Sequence, residues 1–255
     1  MPFNTNSNTT TRDYSGYNNN ATIQTCEWIE NGVVGGAFHF GGSKDYMFSA
    51  GLPDLFNDLY RNSFTISIWV KCSEMDRDNK IIIEVRKDNP NFIRLYQEDN
   101  AFNFGVCVNG NKSAVKTESC LSNMWYHIAA VWNQKNNELA IYLNGTKCIM
   151  QEASNSFSSG AHVGIDIGHG AAGSGGYWYG YLDEIQIYDH ILTDDQISQI
   201  YLNQKNGQSN KEVIVSDETS EGEIWQCIIT PNNGICDDIP VQSNFLKIID
   251  YEGRD

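Results

Sequence analysis

A carboxylate set among apolar residues poses the first chemical question of this sequence. From Tyr181 to Tyr188 the side chains alternate as in a half-buried strand, which predicts Tyr181, Asp183, Ile185 and Ile187 on one face and Leu182, Glu184, Gln186 and Tyr188 on the other. Asp183 then shares a face with two isoleucines. A carboxylate taken out of water needs a metal ion, a cation or a set of hydrogen-bond donors, because unpaired burial costs several kcal/mol or forces protonation. Just before this strand, a glycine-rich loop from Gly168 to Gly180 ends in Tyr177, Trp178 and Tyr179. Three rings in a row offer a stacking surface for the C–H face of a sugar, or else they close an apolar core. The loop has no GK[ST] and no helix after it, so it is not a phosphate cradle. For hydrolysis by paired carboxylates, Glu184 and Asp189 are the candidates. Five positions apart, they fall on opposite faces of a continuous strand, and no Gly-x-Ser-x-Gly elbow occurs elsewhere. The chain is therefore expected to be non-catalytic. His39, His127 and His162 sit on or beside strands without shared metal spacing and are expected to be structural, while His169 and His190 lie in loops.

The elements that must position these groups are mostly strands. Period-two runs occupy Phe64 to Lys71, Ile81 to Val85, Phe92 to Gln97, Phe102 to Val108, Trp125 to Trp132, Leu139 to Leu143 and Val163 to Ile167. Asn144-Gly145 between two such runs predicts a two-residue hairpin, because a type I′ turn needs positive φ at both central residues. Ala37 to Phe40 reads as a strand running into the Gly41-Gly42 turn, and Leu52 to Tyr60 as one helical turn. Thr193 followed by Gln196 forms a capping box, flanked by Leu192 and Ile197 as a hydrophobic staple, so a short helix starts there and ends near Asn203. Many short strands with frequent turns and almost no helix give an all-β class: two packed antiparallel sheets.

Composition narrows the partners. A formal net charge of −15 leaves no surplus of Lys and Arg to neutralise phosphates, which argues against nucleic acid and anionic membranes. No apolar run reaches the length of a membrane span, and Met1 to Asn20 carries no hydrophobic signal core. Seven cysteines show neither CxxC nor Cys/His metal spacing, and their odd number leaves at least one unpaired. After Asn203 the composition turns polar, so we divide the chain into a domain over 1–203, a linker over 204–211 and a small β tail over 212–255. The tail is too short to hold a stable core of its own.

Taken together, the segments FNTNSNTTTRDYSGYNNNAT, GGAFHFGGSKDY, FTISIWVK, WYHIAAVW, LAIYLNG and VGIDIG, with Gly180 to Tyr201, resemble in order and spacing the laminin-G-like, concanavalin A-like jelly-roll family over residues 3–203. The resemblance implies a jelly-roll sandwich of an extracellular or cell-surface protein, one module of a larger chain, binding a glycan or glycoprotein and often stabilised by calcium. The family's opening loop, D-x-S-G-N-G-N-x-G, is matched at Asp13, Ser15, Gly16 and Asn19 and departed from at Tyr17, Asn18 and Ala21. On this resemblance one Ca²⁺ is expected where Asp13 and Asp183 meet, with an amide oxygen from Asn19 and a carbonyl from Gly41 or Gly42. The alternative partner for Asp183 is a set of backbone N–H groups in the opening loop. The tail resembles the last strands of an immunoglobulin-like domain, with Trp225-Gln226-Cys227 in the aromatic-x-Cys position and Cys236 as the nearest candidate partner for Cys227.

Overall fold

The computed structural model describes residues 3, 9–13, 19–49, 62–76, 79–88, 91–108, 110–153, 164–170, 176–208, 221–229, 231 and 238–249. Its strands are β1 (Thr10–Thr11), β2 (Ala21–Gln24), β3 (Glu27–Ile29), β4 (Ala37–Gly41), β5 (Tyr46–Ser49), β6 (Phe64–Cys72), β7 (Lys80–Asp88), β8 (Asn91–Glu98), β9 (Ala101–Val108), β10 (Asn111–Lys116), β11 (Trp125–Asn133), β12 (Glu138–Leu143), β13 (Thr146–Glu152), β14 (Ile165–Ile167) and β15 (Tyr179–Tyr188). Helix α1 (Asp194–Gln204) follows, and the tail adds β16 (Ile224–Trp225), β17 (Ile228–Ile229), β18 (Val241–Gln242) and β19 (Leu246–Lys247). One sheet runs β1-β2-β5-β14-β7-β8-β9-β10 and the other β13-β12-β11-β6-β15-β4-β3, all pairs being antiparallel. Neighbours such as β5-β14 and β6-β15 lie far apart in the chain, and these crossovers make the sandwich a jelly roll.

Alternation dictates what lies between the sheets. Ile66, Ile68 and Val70 of β6 point inward and meet Phe38, Phe40, Phe104 and Trp132 in one continuous core, while Thr65, Ser67, Trp69 and Lys71 point outward. Part of that outer face is covered by α1, whose Ile197 and Ile200 pack with Leu192 on Ala129, Val131, Ala140 and Tyr142. The predicted capping box is present: Thr193 Oγ1 accepts the N–H of Gln196 at 3.2 Å, and the N–H of Thr193 donates to Gln196 Oε1 at 2.7 Å. Thr193→Ala should lower stability by about 1 kcal/mol, seen as a melting temperature about 2–4 °C lower. The Asn144-Gly145 turn joins β12 to β13, and its φ values of 51° and 77° are those the type I′ turn requires.

One expectation is corrected here. In β15 the register slips between Asp183 and Gln186, where Glu184 adopts φ 49°, so two residues oppose one and a β-bulge forms. The faces therefore exchange: Leu182, Ile185 and Ile187 point to the core, whereas Asp183, opposite Trp69, points outward and does not share a face with the isoleucines. Ahead of β1, Phe3 is buried in the core, and its carbonyl accepts the indole N–H of Trp28 at 2.8 Å. The helical turn predicted over 52–60 lies outside the described residues. In the tail, β16 pairs β19 and β17 pairs β18, and none of its described residues joins either hydrophobic cluster. Cys227 is exposed and a free thiol, and Cys236 lies outside the described residues.

Candidate functional site, an aromatic row on the open sheet face

Helix α1 ends at Gln204, and the outer face of the seven-stranded sheet that it leaves uncovered carries half-buried side chains. The register sets five outward residues in a line across five adjacent strands: Glu27 of β3 opposite His39 of β4, His39 opposite Tyr181 of β15, Tyr181 opposite Lys71 of β6, and Lys71 opposite Trp125 of β11. At about 4.8 Å between strands the line is about 19 Å long. Its rings are close enough to act as one surface. The His39 and Tyr181 centroids are 4.7 Å apart, those of Tyr181 and Trp125 6.2 Å, and Tyr179, one row along on the same face, lies 6.4 Å from His39. Lys71 Nζ stands 4.9 Å over the Tyr181 ring, and His39 Nδ1 is 4.0 Å from Glu27 Oε2. Glu27 is exposed and the other members are half-buried, each packed against its cross-strand neighbour.

Close pairing at the start of β15 depends on one glycine. Gly180 has φ +147°, and a Cβ there would stand 2.1 Å from the Lys71 carbonyl oxygen, so a side chain would push Tyr179 and Tyr181 off β6.

The three consecutive aromatics expected to form a platform are separated. Trp178 is fully buried in the main core and closes the sandwich. Tyr177 packs edge-on against His169 at 5.6 Å, and only Tyr179 joins the exposed row. Alternation is the reason: adjacent residues of extended chain point to opposite sides. Conversely His39, expected to be structural, stands on the open face, whereas His127 is fully buried and meets Ser67 Oγ through Nε2 at 2.8 Å. Burial lowers the His127 pKa to about 3. His162 lies outside the described residues, and His190 is exposed beside Asp189 at 2.9 Å.

Asp13 and Asp183, expected to meet at one calcium ion, each accept backbone N–H groups. Asp183 Oδ2 accepts the N–H groups of Val33 at 2.8 Å and Val34 at 3.0 Å, and Oδ1 accepts the N–H of Glu184 at 2.7 Å. Its partner is thus a set of backbone donors, supplied mainly by the turn between β3 and β4; among the described residues none comes from the opening loop. Asp13 instead closes its own loop, accepting the N–H of Asn19 at 2.9 Å and donating its N–H to Asn20 Oδ1 at 2.8 Å. Gly41 pairs with Tyr179, four residues before Asp183 on β15, and its N–H donates to Asp45. Four residues of strand span about 13 Å, far beyond the reach of one Ca²⁺ coordination sphere. Gly42 has φ +83° and packs against the Tyr179 ring. Among the described residues no group of three or more His, Cys, Asp or Glu side chains is placed to hold a metal ion.

Nor do the carboxylates form an open hydrolytic pair. Glu184 is 1% exposed beneath α1, where Gln204 Nε2 donates to its Oε2 at 3.3 Å while Gln204 Oε1 accepts the Trp69 indole N–H at 2.7 Å. Burial first, and then the neighbouring Asp183, raise the Glu184 pKa to about 8; burial raises Asp183 to about 7 against the pull of its three N–H bonds. Asp189 is exposed, and the Glu184 side chain is closed off. On the opposite sheet, Glu84 is spent in a buried ion pair with Arg94.

The chain belongs to the concanavalin A-like lectin/glucanases superfamily, whose Laminin_G_3 model matches residues 41–198. Over 129 residues it is 28% identical to the non-toxic nonhemagglutinin type D of Clostridium botulinum D phage, a match that covers 49% of this chain and 10% of that protein. The chain thus spans about a tenth of the length of this curated relative. Among solved structures it is similar to domain 4 of AbnA, an extracellular arabinanase from Geobacillus stearothermophilus in complex with arabinotriose, with a TM-score of 0.62 and 18% identity over 78% of this chain and 95% of that one. It is also similar to the botulinum neurotoxin serotype G binding domain, with a TM-score of 0.59 and 19% identity over 76% of this chain and 48% of that one. No helix among the described residues is long and apolar enough to cross a membrane.

Proposed function

We propose that this chain is a non-catalytic binding module that takes a saccharide, free or on a surface glycoprotein, across the row His39, Tyr181, Lys71 and Trp125. The observation that carries the reading is the row itself: half-exposed rings at 4.7 and 6.2 Å spacing with polar groups between them. A sugar buries its C–H face on an aromatic ring and offers hydroxyls at its rim, so rings with interleaved donors and acceptors suit it. The fold is shared with a domain solved with arabinotriose and with neurotoxin binding domains, which supports the reading. Binding as one module of a longer, exported protein is in keeping with the small share of its relative that the chain spans. A spacer role would leave the open row without use, and a hydrolase would need Glu184 in contact with substrate, which burial beneath α1 opposes.

The test is a glycan array probed with the full chain and with Tyr181→Ala. Stacking loss at the centre of the row should weaken binding at least about tenfold, equivalent to about 1.4 kcal/mol, while the melting temperature changes little because Tyr181 lies on the surface. Unchanged array binding by a folded Tyr181→Ala chain would remove this face from consideration.

A further inference from the structure

On one side of the sandwich both sheets end together. β10 is the last strand of the eight-stranded sheet and β13 that of the seven-stranded one, and the two strands lie against each other. We infer that Cys120 and Cys148 form a disulfide on this side, by exchange with a small-molecule disulfide, and so tie the edge of one sheet to the edge of the other.

Cys120 lies in the connection from β10 to β11. It is buried, its N–H donates to the Asn100 carbonyl at 2.8 Å, and its thiol donates to the Glu118 carbonyl at 3.5 Å. Cys148 belongs to β13, which is exposed along its whole length. Lys147 pairs with Tyr142 and Ile149 with Ile141, so Cys148 is the extra residue of a bulge and has no cross-strand partner to fix its side chain. Its sulfur instead takes the backbone N–H groups of Leu143 and Glu118. Glu118 therefore holds both sulfurs, one at its carbonyl and one at its N–H, and the N and O atoms of a residue are at most about 3.6 Å apart. The other cysteines are placed differently. Cys26 donates to the carbonyls of Gln24 and Tyr46, Cys72 donates to that of Glu74, Cys107 lies on β9 between Lys112 and Phe92, and Cys227 is in the tail.

Burial pushes the Cys120 thiol up to about 11 and raises that of Cys148, so both are protonated at neutral pH. Cys148, the accessible one, reacts first: it gives up its proton, its thiolate attacks one sulfur of the small disulfide, and one small thiolate leaves. Cys120 then gives up its proton and attacks the Cys148 sulfur, which expels the second small thiolate. Both protons end on the two small thiols, and the two electrons reduce the reagent. An oxidising medium favours the bond and a reducing one opens it. The bond closes a loop of about 28 residues and should raise the melting temperature by about 5–10 °C.

The experiment treats the full chain with oxidised glutathione at about pH 8.5, where thiolate is available, then alkylates the remaining thiols and maps the peptides by mass. Cys148→Ser and a parent sample kept in dithiothreitol run beside it. The oxidised parent should yield a linked peptide pair carrying Cys120 and Cys148 and should melt higher than the reduced one. Cys148→Ser, a change at an exposed residue, should melt like the reduced parent and gain nothing on oxidation. A Cys148 that stops at the glutathione adduct while Cys120 is alkylated overturns the inference, as does a Cys148 linked to a second chain or to any other cysteine. A Cys120 to Cys148 bond that leaves the melting temperature unchanged, or lowers it, overturns the tie between the sheet edges.

Discussion

Asp183→Ala should destabilise the sandwich by about 3–5 kcal/mol, because it leaves three backbone N–H groups without their acceptor in a fully buried site. Val33 and Val34 donate to one oxygen and Glu184 to the other, so one carboxylate fixes the turn between β3 and β4 against the bulge of β15. The turn can come this close because residue 32 is glycine: a Cβ there would stand 2.6 Å from Asp183 Oδ2. Asp183→Asn separates acceptor from packing. Its amide oxygen can still accept from Val33 and Val34, but its NH₂ faces the N–H of Glu184, donor against donor, so about half of the loss should remain. Urea unfolding of the three chains measures this, with a melting temperature for Asp183→Ala roughly 10 °C below the parent. A loss under about 1 kcal/mol for Asp183→Ala would mean that the turn finds other acceptors and that the carboxylate is not its anchor.

The sequence is most legible where local chemistry decides the outcome. The alternating runs gave strands at the positions the structure assigns, and Thr193 with Gln196 and Asn144 with Gly145 fixed a helix start and a hairpin through bonds made within four residues. Asp183 was rightly expected to need a partner, since burial of a carboxylate demands one wherever it lies. What escaped is long-range. A bulge at Glu184 is unsignalled, because neither glycine nor asparagine marks the positive φ, and one extra residue reverses every face after it. The row across the outer face was hidden for a related reason. Glu27, His39, Lys71, Trp125 and Tyr181 come from five strands spread through the chain, and each is an ordinary outward position until strand order brings them into line. Tyr177, Trp178 and Tyr179 show the converse, because residues adjacent in extended chain diverge in space. An outward aromatic on each of two strands, Trp125 and Tyr181, was the available signal, but using it required knowing that β11 and β15 flank β6.

Stability should fall as pH rises through neutrality, the reverse of the trend set by carboxylates held in ion pairs. Glu184, raised by burial to about 8, stays protonated in the folded state over a range where the unfolded chain has already released the proton. The folded state binds more protons there, so the stabilising contribution is complete below the unfolded carboxylate range and disappears as pH passes the folded value. His127 acts in the opposite sense. Its pKa of about 3 means that below about 6.5 the unfolded chain takes up a proton which the buried imidazole refuses, so acid costs stability. Below pH 6.5 the histidine offsets the carboxylate slope, which places the loss between pH 6.5 and about 8.5 at about 2 kcal/mol. The melting temperature should drop by about 5–10 °C across that interval. Glu184→Gln isolates this share: its amide oxygen can still accept from Gln204, it has no proton to lose, and at pH 8.5 it should melt above the parent while matching it near pH 5. A parent whose melting temperature is flat or rises from pH 6.5 to 8.5 would show that Glu184 is hydrated, and that α1 does not seal it from water.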